Sequence, residues 1–526
     1  MAASRFSTFL ESFAVDPKRR STQWELVCKW FLENNPVYRT QLKKVWLWDK
    51  WPGRWGSDAG IDLVAQAKDG TLWAIQAKAY APENAVTKKD MDSFLSESAR
   101  AEFDHRLLIA TTRHVSAAAI RASKAAEKPV STVLRHDLDR REGLSWPVSY
   151  PAWTKGRIPK TKPKRPYPHV KKAIRAMLKQ LKTHDRGQVI MACGTGKTLT
   201  ALWVHEGLPS SRTLVLVPSL SLLGQTLQEW VGNAKVPFET LPVCSDDTVR
   251  RGQDDALMSS TLDLGYPSTT EPDAVRTFLK RRGPRVVFAT YQSSPVIADA
   301  LAKTRLGFDL VIADEAHRCA GAVSSPFSTV LDPKKIPARK RIFMTATQRY
   351  YTGRLVKAAR EDDLDVASMD DEATFGPVFH RLTFGQAIEQ KLLADYRVVI
   401  VGIDDARYRR YAEHGRLVTL QGGGKKTDAR TLAAHLGLAK TMRRYDMQRV
   451  ISFHGRVAGA QAFATEVPHI IDWMPRRERP SGAIWAEAVS GAMAAGDRKT
   501  RLDRLRAVDT GERGLLSNAR CLGEGI

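Results

Sequence analysis

The run Met191-Ala-Cys-Gly-Thr-Gly-Lys-Thr198 constrains this chain more than any other stretch. It follows apolar Val189 and Ile190 and opens into helically spaced Leu199, Ala201, Leu202 and Val204. Strand, glycine loop and helix in that order make a phosphate-binding loop. Gly194, Thr195 and Gly196 let backbone amides close around a β-phosphate at a helix N-terminus, whose dipole favours an anion. Lys197 would neutralise β/γ-phosphate charge and Thr198 would offer its hydroxyl to Mg²⁺. Met191 stands where the usual pattern has its first glycine. The implied ligand is a nucleoside triphosphate.

The residues around this loop favour a parallel sheet. Short apolar runs at 188–192, 213–217, 286–289, 310–313 and 341–344 alternate with helical patterns, the βαβ rhythm of an α/β domain. A second series, at 396–402, 449–453 and 484–489, predicts another. The strand at 310–313 runs into Asp314 and Glu315, placing two carboxylates at the sheet edge where α/β ligands bind. Asp314 would hold the nucleotide's Mg²⁺, and Glu315 would polarise the water that attacks the γ-phosphate. Residues 421–427 (QGGGKKT) imitate a phosphate loop but follow no convincing strand, so they read as a mobile loop.

With 526 residues the chain exceeds one core. No apolar run is long enough to span a bilayer, and the N-terminus carries an acid and lacks a signal peptide's apolar stretch. Five scattered cysteines fit reduced thiols in a cytoplasm and no zinc site. Lys plus Arg number 82 against 57 Asp plus Glu, a formal charge of +25, which favours nucleic acid over membrane as partner. Residues 151–172 hold eight Lys/Arg and no acid, and read as an extended basic linker because prolines interrupt them.

Before that linker, residues 60–78 alternate like two strands about Asp69-Gly70. A two-residue turn would mix apolar and polar side chains on both faces. A three-residue loop at 68–70, with Gly70 left-handed, makes paired positions sum to 138. Ile61, Leu63, Ala65, Trp73, Ile75 and Ala77 then share one face, while Asp62, Gln76 and Lys78 share the other; the apolar pattern selects this register. A carboxylate, an amide and a lysine so placed can serve a metal-dependent phosphodiesterase. Asp62 would ligate Mg²⁺ and Lys78 would orient water or neutralise phosphate. Asn35-Pro-Val-Tyr38 imitates a methyltransferase tetrad but has no glycine-rich cofactor loop beside it, and that reading is rejected.

Leu310-Val-Ile-Ala-Asp-Glu-Ala-His317 spells DEAH, and from there the chain resembles the superfamily 2 helicases and translocases. The resemblance covers roughly 165–526. It implies DNA contacts from Pro218-Ser219 (motif Ia) and from Thr290-Tyr291-Gln292-Ser293. It implies coupling through His317 and Thr345-Ala-Thr347 (motif III). Ile451-Ser-Phe-His-Gly-Arg456 fits motif IV, with His454 on DNA, and Asn518-Ala-Arg-Cys-Leu-Gly-Glu-Gly525 fits the start of motif V, with Asn518 on DNA. Two departures stand out. Val170 occupies the place of the adenine-reading Gln, so ATP is implied by the resemblance alone. The sequence also stops before motif VI, whose arginine is worth roughly 10³–10⁵ in rate in related NTPases, which implies ATP binding with poor hydrolysis.

The hairpin resembles the Mrr-like branch of the PD-(D/E)xK nucleases, in which Gln replaces the second acid. In that resemblance Glu25, on an amphipathic helix with Trp24, Val27 and Phe31, supplies another carboxylate. Local wording (GIDLVA, AIQAKAY, HDRGQVIMACGTGKT, ISFHGR) resembles the front part of the type ISP single-polypeptide restriction-modification enzymes. The implied fold is α/β: a Mrr-like endonuclease at 1–150, a basic linker at 151–165, a RecA-like domain at 166–385 and an incomplete second one at 386–526. The implied activity is ATP-dependent translocation on double-stranded DNA coupled to Mg²⁺-dependent cutting in restriction, with ATP and Mg²⁺ as cofactors. A methyltransferase and target-recognition portion would lie on a missing C-terminal part or another chain. Two other readings stay open: a repair or remodelling helicase with a non-catalytic N-terminal DNA-binding domain, and an ATP- and DNA-binding remnant with weak turnover.

Overall fold

The computed structural model describes residues 5–56, 60–139, 143–245, 261–351, 366–400, 417–419, 426–491, 493 and 495–519. The chain divides into two compact units, one comprising Ala2–Arg251 with Ser260–Ala394 and the other centred on Asp395–Ile526.

After a short helix at Arg5–Glu11, the first unit continues with α1 (Pro17–Asn34). Asp16 caps it by accepting from the Arg19 amide, and Pro17 sits in the first turn, where its missing N–H costs nothing. Its apolar stripe, Trp24, Val27, Phe31 and Leu32, is fully buried, and the Trp24 indole donates to the Ile109 carbonyl at 3.3 Å. A five-stranded sheet follows, in the order β1 (Leu42–Leu47), β2 (Leu63–Ala67), β3 (Leu72–Lys78), β4 (His105–Ala110), β5 (Val130–Val133). The β2–β3 pairs are Leu63↔Ile75, Val64↔Ala74, Ala65↔Trp73 and Gln66↔Leu72, the register in which positions sum to 138. Gly70 takes φ +97° in the loop and its amide closes the turn onto the Ala67 carbonyl.

Ile61 departs from expectation. β2 starts only at Leu63, so strand alternation does not reach Ile61, which packs with Val64 and Ala74 rather than with Leu63. The face expected to be polar is also covered. α2 (Lys88–Glu97) and α3 (Ala117–Ala125) bring Phe94 and Ala119 onto Val64, Ala74 and Leu108. Both faces are buried because β3, β4 and β5 are parallel neighbours joined by these helices.

The linker is only partly extended. Tyr150–Thr154 is a short helix with Pro151 in its first turn, and Pro168 opens α4 (Pro168–Gln180) the same way. Proline is compatible with a helix start, so these prolines punctuate helices as well as break them.

Beyond it lies an all-parallel seven-stranded sheet. Its strands are β6 (Arg186–Met191), β7 (Arg212–Val217), β8 (Glu239–Val243), β9 (Arg285–Thr290), β10 (Phe308–Ala313), β11 (Ala338–Thr345) and β12 (Val378–Leu382), in spatial order β8-β9-β7-β10-β11-β6-β12. β8 and β12 are the two strands the apolar pattern does not show. Both lie at edges, where Pro242 and the polar His380 and Arg381 are tolerated.

In the second unit β13 (Arg449–His454), β14 (Ala483–Ser490) and β15 (Glu512–Ala519) form a parallel sheet in the order β13-β15-β14. Val450, Phe463, Val467, Ile470 and Leu515 share its core. The expected strand at 396–402 does not form over 396–400, and 401–402 lie outside the described residues. Of the 421–427 run, Lys426 and Thr427 belong to a short strand and 421–425 lie outside the described residues.

Candidate functional sites

The sheet order brings the C-terminal ends of β6, β11 and β10 side by side, and each carries one of the sequence motifs. The loop after β6 turns through Gly194 (φ +79°) and Gly196 (φ +92°) before α5 (Lys197–Glu206) begins. Thr195 donates its hydroxyl to the Ala192 carbonyl at 2.6 Å, which closes the loop. Lys197 Nζ lies 3.2 Å from Glu315 Oε1 and 3.8 Å from Cys193 Sγ. Burial opposes its charge, but Glu315 and Asp314 hold its pKa above the usual lysine value. Thr198 is half-buried at the helix start, and its carbonyl accepts from the Trp230 indole. His169, one residue before Val170, places Nε2 3.0 Å from the Thr195 carbonyl.

Glu315 adopts φ +47°, a left-handed backbone that costs a non-glycine residue about 1–2 kcal/mol. That turn aims its carboxylate back at the loop, while its amide donates to Asp314 Oδ1 at 2.9 Å. His317 Nδ1 is 3.5 Å from Glu315 Oε2 and 3.0 Å from Thr345 Oγ1. Burial lowers the His317 pKa, with Glu315 opposing. Thr345 Oγ1 donates to the Thr347 carbonyl and accepts from the Thr347 amide. Lys197, Glu315, His317, Thr345 and Thr347 therefore form one unbroken chain of contacts.

Gln348 follows Thr347 in sequence, and the sequence reading missed it. Its amide donates to Gln188 Oε1 of β6 at 2.8 Å, and its carbonyl oxygen accepts from Arg381 at 2.7 Å and Tyr350 at 2.6 Å. The available signal was its position three residues beyond Thr345.

Most of the side chains expected on DNA are buried. Tyr291 is fully buried, and its hydroxyl donates to the Asp314 carbonyl at 2.6 Å; burial holds its pKa well above the usual value. Thr290 is buried against Ser293, Ser219 caps the helix Leu220–Asn233, and Pro218 and Asn518 are buried. His454 is half-buried, with Nε2 2.9 Å from Ser452 Oγ. Five of these six side chains are buried.

The second site sits in the hairpin. Asp62 lies just outside β2, and its Oδ2 accepts from the Ala77 amide at 2.6 Å. Gln76 is 2% exposed; its Nε2 donates to the Gly60 carbonyl at 3.3 Å, and its Oε1 is buried with no partner. Gly60 holds φ +65°, and a Cβ there would lie 2.6 Å from Ser93 Oγ, so only glycine fits. Lys78, half-buried, ends β3. Glu25 of α1 is pushed up to about 7 by burial and by the neighbouring Asp62, with Asp49 adding to the effect and Ser21 and Lys78 working against it. Asp49 was not singled out in the sequence. Burial, Asp62 and Glu25 together raise the Cys28 thiol.

Two carboxylates whose charges oppose one another, beside an unpartnered buried amide oxygen, fit a divalent cation. Among the described residues no group of three or more His, Cys, Asp or Glu could hold a metal, so the Gln76 oxygen would be needed to complete the set. The phosphate loop fits a nucleoside triphosphate equally well, since its lysine is held in place by a carboxylate that a γ-phosphate could replace.

Comparison with known proteins agrees with this pair of sites. Residues 33–152 match the Mrr catalytic family, described as restriction endonuclease, and residues 163–349 match the family described as type III restriction enzyme, res subunit. The chain therefore carries an Mrr-like restriction endonuclease domain joined to a ResIII helicase domain. Its whole length aligns with the structure of the "ATP-dependent Type ISP restriction-modification enzyme LlaBIII bound to DNA", at a TM-score of 0.80 and 28% identity. A protein of African swine fever virus described as "Probable helicase" is 30% identical over 233 residues, 44% of this chain. The chain spans 34% of LlaBIII and 23% of the viral protein. Helicase families generally use ATP, and PD-(D/E)xK-type nuclease families generally use a divalent metal ion. Among the described residues no helix is long and apolar enough to cross a membrane.

Proposed function

We propose that this chain is the nuclease and motor portion of an ATP-dependent restriction enzyme, one that translocates on double-stranded DNA and cuts it with Mg²⁺. One observation carries the reading: a single folded unit holds a phosphate loop facing Glu315 and, separately, a carboxylate–amide–lysine cluster with an unpartnered Gln76 oxygen. The working division is 1–150 nuclease, 151–165 linker, 166–385 first motor domain and 386–526 second. Sequence selection would come from a methyltransferase and target-recognition portion outside these residues, and the cytoplasm is the proposed location.

In the motor, Gly194, Thr195 and Gly196 would bind phosphates through their amides, and Thr198 and Asp314 would hold Mg²⁺. Bound ATP supplies the cleavable γ-phosphate. Lys197 leaves Glu315 to meet that phosphate, which frees the Glu315 carboxylate to orient and polarise a water. His317 then has a changed neighbour on one side and Thr345 on the other, so the event reaches Thr347.

In the nuclease, Asp62, Glu25 and Gln76 Oε1 would hold Mg²⁺, which when bound lowers the pKa of a water and stabilises charge on the scissile phosphate. Lys78 orients that water or neutralises the phosphate. The test is incubation with supercoiled duplex DNA, ATP and Mg²⁺, reading both ADP release and strand breaks. Breaks that need Mg²⁺ and ADP release that needs DNA are expected, and Lys197→Ala should lose ADP release. Metal-independent breaks, or ADP release untouched by Lys197→Ala, would contradict the assignment.

A further inference from the structure

The segment between the two enzymatic parts does more than join them. After the turn at Gly156 the chain runs without helix or strand through residue 166. It does not hang free. The Thr161 hydroxyl donates to the Gly143 carbonyl at 2.9 Å, and the Lys164 amide donates to Asn233 Oδ1 at 2.8 Å. The strap is thus tied at one point to the end of the nuclease part and at another to the C-terminal end of the helix Leu220–Asn233.

Arg157, Lys160, Lys162, Lys164 and Arg165 lie on this strap, with Lys155 just before it, and all are exposed. No acidic residue occurs between 151 and 172. Among the described residues, Lys155, Arg157, Lys160, Lys162 and Arg165 make no ion pair. A solvated charged surface normally mixes both signs, whereas this one is a row of like charges held in an extended line. Pro159, Pro163 and Pro166 keep the backbone from folding into a helix. Duplex DNA carries a charge every 3.4 Å of axis on each strand, a partner of opposite sign for such a row. Like charges kept close together cost free energy in the unbound protein, and a polyanion would relieve it.

We infer that the strap is a duplex DNA contact of its own, binding phosphates between the motor and the nuclease without reading sequence. It is separate from the motif edge: Asn233 lies at the far end of its helix from Ser219, about 20 Å along the axis at 1.5 Å per residue. The inference rests on the proposal that DNA is the partner.

The experiment measures binding of the full chain to a fluorescent non-specific duplex at several salt concentrations, for the parent and for Arg157→Gln/Lys160→Gln/Lys162→Gln/Arg165→Gln. Each phosphate contact contributes about 0.9 to the slope of log K against log salt. The variant should show a slope shallower by up to about 3.6 and weaker binding at low salt, with its thermal unfolding unchanged. Lys160→Arg/Lys162→Arg should keep the parent slope. A parent that binds duplex with a variant of equal slope and affinity would reduce the strap to a spacer. A parent that does not bind duplex at all would instead overturn DNA as the partner.

Discussion

Gln76 is a buried amide that hydrogen-bonds on one side only. A buried oxygen without a partner costs about 1–3 kcal/mol, a cost that folding alone does not explain. If the oxygen is there for a cation, Gln76→Met should separate stability from function: unfolding in denaturant should stay within about 1 kcal/mol of the parent, because the lost Gly60 hydrogen bond is offset by removing the orphan. Metal-dependent cleavage should be lost. A variant that unfolds easily yet cuts DNA would place Gln76 in the core and not at the site.

His205 offers a pH readout in the motor. It is 6% exposed, its Nδ1 sits by Thr213 and Ser210 hydroxyls, and burial pushes its pKa down to about 4. The folded state holds the ring neutral while the unfolded state takes a proton near pH 6.5. Between those values the unfolded chain binds more protons, so stability falls as the pH drops from 6.5 to 4 and levels off below. The loss from this group is about 3 kcal/mol. His205→Gln should lack that component, so the stability difference between parent and variant should shift by that amount across the window in urea unfolding.

At the scale of elements, the β2–β3 hairpin was legible because its turn and its apolar pattern select the same register. What was not legible is where β2 begins: Asp62 and Ile61 escape strand alternation because the chain at Gly60 turns left-handed against Ser93. Gly70→Ala, at φ +97° with open space around it, should cost about 1 kcal/mol through backbone strain alone. The phosphate loop and the DEAH strand were legible from their own residues. Motif order, however, does not say which way a side chain points. Tyr291 and Thr290 fall in the right place along the chain and still turn inward, because a tyrosine beside a buried strand end can satisfy its hydroxyl on the Asp314 carbonyl. The edge strands β8 and β12 stayed hidden because edges tolerate Pro242 and polar residues. Nor does the sequence show that the nuclease part docks on the motor sheet through the Tyr38 hydroxyl and the Gly265 carbonyl, 2.6 Å apart and buried. Tyr38→Phe should cost about 1–3 kcal/mol by leaving that carbonyl unmet, visible as a lower denaturation midpoint.

On the scale of the molecule, that docking makes Ala2–Arg251 and Ser260–Ala394 one body carrying both candidate chemistries. Arg281 reinforces it, reaching Asp69 of the hairpin turn at 3.8 Å and Glu239 of β8 at 3.5 Å. The excess of +25 charge over the chain predicts duplex binding that weakens steeply with salt. The central claim is that one chain holds two independent sites, one for ATP and one for cutting. The most direct measurement is Asp62→Ala on duplex DNA with ATP and Mg²⁺, reading strand breaks and the affinity for a fluorescent ATP analogue in the same preparation. The account predicts breaks reduced by at least about 100-fold, the scale of losing a metal-activated water, with nucleotide affinity equal to the parent's. Cleavage that survives Asp62→Ala, or nucleotide binding that disappears with it, would contradict the two-site account.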